Sequence, residues 1–208
     1  MRILLINGSP VKDGCISRAL EEIKNIFKEY SDIEVDEINL STKDVRGCIS
    51  CFKCNELKRC VFNDIVNEAA KLFEVSDGII VASPVYYAGM NGSLKSFLDR
   101  LFFSTKFDKT MKLGCAVVSS RRAGSTSVYD EINKYFGICG MPIVTSTYWN
   151  EVHGYTKEDV LLDKEGLQTM RNLANNMAFL ARAIKNEKEK SGLPKKEYGE
   201  FTNFCDGL

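Results

Sequence analysis

Short apolar runs alternate with longer amphipathic segments along this chain. Apolar runs of about four to eight residues predict buried strands, and apolar positions that recur about every three to four residues predict helices. The predicted strands are Arg2–Ile6, Ile33–Ile38, Gly78–Ala82, Leu113–Val118 and Pro142–Tyr148. The predicted helices are Ser17–Tyr30, Asp64–Ser76, Ser93–Phe103, Ser127–Phe136 and Leu167–Ile184. This alternation favours an α/β fold, in which right-handed crossovers cover both faces of a parallel sheet.

Charge divides the chain into a body and a tail. Residues 1–186 are predicted to form one domain that includes a cysteine-rich loop at 47–60, and residues 187–208 are predicted to form a charged C-terminal tail. Phe201 and Phe204 lie within this tail. They are expected either to dock on the body or on a neighbouring subunit, or to belong to a frayed end.

The composition narrows the range of functions. A length of 208 residues suits one domain with a substantial core. Lys plus Arg and Asp plus Glu number 28 each, so the formal net charge is zero, and neither nucleic acid nor an anionic membrane is an expected partner. No segment has the pattern of a signal peptide or the length of a membrane span, so a cytoplasmic location is expected.

Half of the eight cysteines lie in one short stretch, at Cys48, Cys51, Cys54 and Cys60. Thiols stay reduced in the cytoplasm, so such a cluster indicates metal binding or redox activity before disulfides. Compact spacings of this kind are typical of 4Fe–4S ligands, whereas structural zinc usually takes two separated cysteine pairs. A metal-free thiol loop is the third interpretation.

The loop after the first predicted strand is a candidate phosphate site. Helix starts at the carboxyl edge of a parallel sheet offer free N–H groups to anions. The residues of this loop that we expect to contribute are Ser9, Lys12, Gly14, Cys15, Ile16 and Ser17. The loop has neither the Rossmann nor the Walker pattern, and a plain strand-to-helix turn capped by serine would explain it too.

The segment Ser83–Arg100 reads Ser-Pro-Val-Tyr-Tyr-Ala-Gly-Met-Asn-Gly-Ser-Leu-Lys-Ser-Phe-Leu-Asp-Arg. It resembles the flavin-ring loop and following helix of the NAD(P)H-dependent FMN reductase family, and the loop that begins Gly8-Ser9-Pro10 resembles that family's phosphate loop. With its cysteine spacing, the chain is most similar to the iron–sulfur flavoproteins of this family. The resemblance covers most of residues 1–184. It implies a flavodoxin-like, doubly wound, five-stranded parallel sheet of order 2-1-3-4-5.

The resemblance also implies a set of cofactor-binding residues. Those expected along the flavin ring are Pro84, Val85, Tyr86, Tyr87, Gly89 and Met90. Ser120, Arg121 and Gly124 belong to a loop that resembles the one approaching the pyrimidine edge of the flavin, where an arginine can stabilise the anionic reduced ring. The four clustered cysteines would hold a 4Fe–4S cluster.

The phosphate loop departs from the family pattern at three positions. The family usually has Arg, Asn and Thr where this chain has Val11, Cys15 and Ile16. We therefore expect FMN to bind more weakly than in relatives, by ~1–3 kcal/mol, because a few charge-assisted hydrogen bonds are missing.

The function implied is an FMN-dependent oxidoreductase that passes electrons from NAD(P)H or ferredoxin to a small acceptor, as a homodimer or homotetramer. The alternatives are a cluster-free NAD(P)H:FMN or quinone reductase and a non-enzymatic, flavodoxin-like electron carrier. No catalytic side chain is assigned, because hydride transfer to a flavin needs no general base on the protein. The lone His153 is expected to be structural or to line the pocket.

Overall fold

The computed structural model describes residues 1–200, so the two expectations for Phe201 and Phe204 fall outside the described residues. The strands are β1 (Arg2–Asn7), β2 (Glu34–Asn39), β3 (Gly78–Tyr86), β4 (Gly89–Met90), β5 (Leu113–Ser120) and β6 (Glu151–His153). The helices are α1 (Cys15–Phe27), α2 (Cys54–Leu57), α3 (Ile65–Val75), α4 (Gly92–Ser104), α5 (Ser125–Ile138), α6 (Lys157–Leu162) and α7 (Lys164–Ser191).

The sheet has the predicted doubly wound topology. Its parallel strands lie in the order β2-β1-β3-β5-β6, and the two-residue β4 pairs antiparallel with the end of β3. Counted along the chain without β4, this is the predicted order 2-1-3-4-5. All five predicted helices and the first four predicted strands are present, with ends that differ by up to several residues.

The fifth strand was predicted in the wrong place. Pro142–Tyr148 contributes a single bridge, between Ile143 and Gly114, and the strand forms instead at Glu151–His153. Helix α7 explains the difference, because Asn176 Nδ2 donates to the Thr145 carbonyl and Ser146 Oγ donates to the Thr169 carbonyl. The start of the segment still lies beside β5, where the Gly114 N–H donates to the Pro142 carbonyl and the Val144 N–H donates to the Gly114 carbonyl, whereas Thr145 and Ser146 contact α7.

Strand β1 lies at the centre of two cores. Ile3 and Leu5 face α1 and α7, whereas Leu4 and Ile6 face the helices on the other side of the sheet. All four side chains are fully buried. A strand covered on both faces reads as a continuous apolar run, which is why this strand was predicted correctly.

Helix α7 continues to Ser191, so the first residues of the predicted charged tail are helical. Among residues 1–200, no helix combines the length and the hydropathy needed to cross a bilayer.

Glu22 joins α1 to α7. Its carboxylate accepts hydrogen bonds from Arg18 on its own helix and from Arg171 Nη1, at 2.6 Å, on α7. Burial alone would raise the pKa of Glu22, but the hydrogen bonds from Arg171 and Arg18 hold it below its ordinary value. The side chain is only 13% exposed, so these contacts are partly shielded from solvent.

Replacing Glu22 with glutamine should lower the free energy of unfolding at pH 7 by ~1–2 kcal/mol, since hydrogen bonds to a charged group are lost. Because the folded-state pKa lies below the unfolded one, this contribution is complete above the unfolded pKa and disappears as the pH falls through the folded pKa. Urea denaturation of both proteins from pH 7 to pH 3 measures the difference. The more exposed Glu21→Gln is the matched control, with little effect expected, and a Glu22→Gln deficit that stayed constant with pH would contradict the assignment.

Candidate functional site

Three loops meet at the carboxyl edge of the parallel strands, after β1, β3 and β5. The backbone N–H of Gly8, which follows β1, donates to the Ala82 carbonyl at 2.8 Å and ties the first loop to β3. A Cβ atom on Gly8 would lie 2.6 Å from Leu94 Cδ2 and 2.7 Å from the Ala82 oxygen. The contact of the first loop with β3 and α4 therefore depends on the absence of a side chain at residue 8.

The first loop uses its own hydroxyl groups to hold its shape. Ser9 Oγ accepts from the Val11 N–H at 3.1 Å, and the Ser9 N–H donates to Asn7 Oδ1 at 3.1 Å. Ser17 Oγ donates to the Lys12 carbonyl at 2.7 Å. The single hydroxyl proton of Ser17 is thus already used, whereas that of Ser9 has no acceptor among residues 1–200 and can donate to a ligand.

Two helix starts at this edge suit an anion. In the described residues, neither the start of α1 after Gly14 nor the start of α5 after Gly124 is capped by a side chain, and neither first turn holds an acidic residue. Uncapped N–H groups and the helix dipole attract negative charge. Lys12 is exposed beside the start of α1.

The side chains of Cys15 and Ile16 point away from this loop. Ile16 is buried in the core, and Cys15 Sγ donates to the carbonyl oxygens of Gly154, at 3.5 Å, and Thr156, at 3.3 Å. Burial raises the pKa of the Cys15 thiol, so the protonated donor is favoured. Contacts of these two residues with an anion would be made by their backbone N–H groups.

The second loop is a hairpin whose tip carries two tyrosines. Tyr86 is half exposed and Tyr87 fully exposed. Tyr87 and Ala88 both have left-handed backbone conformations, with φ of 51° and 58°. Non-glycine residues adopt such conformations at a cost and are found most often at functional sites. The hairpin therefore presents an aromatic edge to solvent.

The base of the hairpin is held from two sides. Ser83 Oγ accepts from the Asn91 N–H at 3.1 Å, and Glu131 Oε2, on α5, accepts from the Met90 N–H at 3.0 Å. The Met90 side chain is buried, and Val85 packs against the same core. Val85 and Met90 were predicted to lie along a flavin ring, but their side chains pack into the core and support the hairpin. Tyr86 and Tyr87 are the residues of this predicted set whose side chains are exposed.

The third loop touches the hairpin at Gly124. This residue has a φ of +91°, and a Cβ atom there would lie 3.1 Å from both Ala88 Cα and Val85 Cγ1. Arg121, three residues earlier, is exposed. Ser120 is buried at the end of β5, where its Oγ lies 3.2 Å from His153 Nδ1. His153 thus contacts the end of β5, next to the third loop.

The four clustered cysteines surround one small cavity of about 20 Å³, which Arg100 and Phe103 also line. Cys48 and Cys51 are exposed, whereas Cys54 and Cys60 are buried. Within residues 1–200, no group of three or more His, Cys, Asp or Glu side chains is gathered closely enough to hold a metal ion. The structure therefore brings the four thiols to one cavity without placing them at ligand distance from a common point.

The backbone of this segment is strained between the cysteines. Ser50, Phe52 and Lys58 have φ values of 52°, 54° and 56°. Four thiols around one cavity are a donor set that suits an iron–sulfur cluster, and a strained loop is the kind of segment that a bound group can stabilise. On donor chemistry, these residues fit such a group.

Cys60 has partners that sequence reasoning missed. The amide of Asn67, on α3, accepts from the Cys60 N–H and donates to the Cys60 carbonyl, both at 3.0 Å. Arg100, on α4, donates to Cys60 Sγ and forms an ion pair with Asp64. Burial alone would lower the pKa of Arg100, but the hydrogen bonds with Asp64 and Cys60 raise it above its ordinary value. The sequence contained one indication of this buried charge, because Arg100 lies between the apolar residues Phe97 and Leu101 of a predicted helix.

A family model described as NADPH-dependent FMN reductase matches residues 1–156, which is most of the chain. The chain belongs to this family. The family match confirms the resemblance and the oxidoreductase class predicted from the sequence.

Relatives and structures agree with the family match. An iron–sulfur flavoprotein of Methanocaldococcus jannaschii is 33% identical over 193 residues, covering 89% of this chain and all of that protein. An iron–sulfur flavoprotein of Methanosarcina thermophila is 29% identical over 194 residues, covering 91% and 100%. A flavodoxin from the domain Archaea superposes with a TM-score of 0.58 at 17% identity, over 89% of this chain and 99% of that one. The flavodoxin-like fold is therefore confirmed, and the chain is a flavoprotein oxidoreductase of the FMN reductase family.

Proposed function

We propose that the protein binds FMN at the edge where its three loops meet, carries a 4Fe–4S cluster in the cysteine segment, and couples a two-electron partner to a one-electron partner. The observation that carries the proposal is that the loops matching the family pattern lie at one edge, where Gly8 joins the first loop to β3 and Gly124 joins the third loop to the hairpin. Among them lie two uncapped helix starts and an exposed aromatic hairpin.

Each loop has a separate task in binding FMN. The N–H groups at the start of α1, with Lys12 and the free hydroxyl proton of Ser9, would hold the phosphate. Tyr86 and Tyr87 would lie along the ring, and the backbone of Pro84–Met90 would shape its pocket. Arg121 would supply positive charge at the pyrimidine edge, with Ser120 and Gly124 fixing the loop that carries it.

Cys48, Cys51, Cys54 and Cys60 would hold the cluster. When bound, FMN exchanges two electrons as hydride or releases them singly, whereas a cluster carries one at a time. The protein would position the FMN and the cluster and would exclude competing reactions. We propose NAD(P)H or ferredoxin as the electron donor, a small molecule as the acceptor, and a homodimer or homotetramer in the cytoplasm as the working form.

A cluster-free reductase is the second candidate. The observation that favours it is that the cysteine side chains of the described residues are not gathered at ligand distance from a common point. Such an enzyme would oxidise NAD(P)H and reduce quinones or free flavin with the same FMN site.

Anaerobic purification followed by a visible spectrum and by iron and acid-labile sulfide assays distinguishes the two candidates. The proposal predicts flavin bands, a broad brown absorbance and about four iron atoms per chain. Flavin bands without iron would support the cluster-free reductase and exclude the cluster. Steady-state oxidation of NADH and NADPH with a quinone then tests the activity. Absence of turnover with both donors would point to a ferredoxin-fed enzyme or an electron carrier.

A further inference from the structure

We propose that Arg100 is a positioning residue for the fourth thiol, Cys60, and that it raises the reduction potential of a cluster held there. The inference rests on the cluster site proposed above. It concerns the residues around that site, which come from α4 and from α3 with its N-cap residue Asp64.

Arg100 is held without rotational freedom. Its side chain is 1% exposed, although it is one of the largest in the protein. Nε and Nη2 donate to Cys60 Sγ at 3.3 and 3.2 Å, and Nη1 and Nη2 donate to the two oxygens of Asp64 at 2.7 and 2.9 Å. Nη1 also donates to the Arg46 carbonyl at 3.3 Å. These contacts occupy all five N–H donors of a guanidinium group.

Cys60 is held from its other side as well. Asn67 binds both its N–H and its carbonyl, and the residue is only 8% exposed. The guanidinium lies 5.1 Å from the ring centroid of Phe62, two residues further along the chain. The sulfur of Cys60 is therefore placed by its backbone, by two convergent N–H donors and by the packing around them.

A buried guanidinium that points at a ligand sulfur has a predictable electrostatic effect. Reduction adds one electron to a cluster and breaks no bond, so positive charge and N–H···S hydrogen bonds favour the reduced state. Asp64 opposes this effect with its negative charge, but it does not touch the sulfur. Loss of Arg100 should therefore lower the potential, and neutralising Asp64 should raise it.

This pair of opposite shifts separates the proposal from a purely structural role. A residue that only fills the core would change stability, and the sign of a potential shift would not follow from the loss of its N–H···S contacts or from the neutralisation of its ion-pair partner. Arg100→Lys keeps the positive charge, but a lysine ammonium cannot reproduce the paired hydrogen bonds that the guanidinium donates to Cys60 Sγ and to both oxygens of Asp64. Asn at position 64 keeps the helix cap to the Val66 N–H while removing the charge, because asparagine caps helices as well as aspartate does.

The test uses full-length protein reconstituted anaerobically with iron and sulfide. Wild type, Arg100→Lys, Asp64→Asn and the control Arg46→Lys are compared by iron and sulfide content, by circular dichroism and by redox titration with dithionite followed by electron paramagnetic resonance. Arg46 lies over the same Phe62 ring, at 4.5 Å, but does not donate to Cys60, so its replacement should leave the potential unchanged.

We expect Arg100→Lys to reduce the equilibrium constant for cluster reduction by about tenfold, which is ~59 mV for a one-electron couple, and Asp64→Asn to increase it. Should Arg100→Lys not fold, Asp64→Asn alone decides, because it retains Arg100 and removes only the opposing charge. Unchanged potentials, or shifts of the same sign in both variants, would overturn the inference while leaving the cluster intact. Wild-type protein that takes up no iron would instead overturn the proposed cluster site, and this inference with it.

Discussion

Replacing Cys51 with serine should remove the iron and the brown absorbance completely while leaving the FMN content near that of wild type. A hydroxyl group does not ionise at neutral pH as a thiol can, so serine is a poor ligand for iron. Cys51 is exposed, and its replacement opens no cavity in the core. The cysteine segment follows β2, whereas the loops proposed to bind FMN follow β1, β3 and β5. Iron, sulfide and flavin assays on anaerobically reconstituted protein measure both cofactors at once.

Cys139→Ser is the matched control for this experiment. Cys139 is partly buried at the end of α5, outside the cysteine segment, and its replacement should leave both iron and FMN in place. If Cys51→Ser lost FMN and iron to the same extent, the segment would have a structural role and the proposed division between the two sites would be wrong. If it kept its iron, Cys51 would not be a ligand.

Replacing Gly8 with alanine should weaken FMN binding by roughly tenfold or more and lower the free energy of unfolding by ~1–3 kcal/mol. The added methyl group would lie 2.6 Å from Leu94 Cδ2 and 2.7 Å from the Ala82 oxygen, closer than van der Waals contact allows. Leu94 is fully buried and the Ala82 oxygen belongs to β3, so neither has free space to move into. Relief has to come from a shift of the first loop, which is where the phosphate would bind. Flavin fluorescence titration and urea denaturation measure the two effects.

Gly137→Ala controls for the general effect of exchanging glycine for alanine. Gly137 lies in α5, and a Cβ atom there would have no neighbour within 4 Å in the described part of the chain. Alanine should therefore keep FMN affinity and raise stability by ~0.5–1 kcal/mol, because it has the higher helix propensity. Wild-type FMN affinity in Gly8→Ala would show that the junction between the first loop and β3 is not part of the binding site.

The comparison of sequence and structure is most informative at the third and fifth strands. The end of β3, its hairpin and the start of α4 were predicted as one functional segment, because their residues resemble a family motif. The fifth strand was misplaced, because the apolar residues of Pro142–Tyr148 resemble a strand locally. In the structure, part of this segment has polar contacts with α7 instead of strand pairing, and these contacts come from residues more than twenty positions away.

In the cysteine segment too, the sequence predicted the chemistry and the structure supplied the contacts. Its spacing was evident from the sequence, and so was the chemistry that suits four thiols. That Cys60 alone of the four accepts two hydrogen bonds from a buried arginine follows, within the described residues, from the packing of α4 beside Asp64. Likewise, the loop sequence offers Ser9 and Ser17 as equivalent hydroxyl groups, and only their hydrogen bonds show that one of them is already in use.

The amino-acid sequence by itself determined the α/β class, the order of most elements, the family and the two candidate sites, because apolar periodicity and short motifs are local properties of a chain. The tertiary structure decided where the last strand forms, which tyrosines are exposed and which side chains surround each thiol. These features depend on residues that are far apart in the chain and come into contact only when the sheet and its helices pack together. The local periodicity of apolar residues does not specify such long-range contacts.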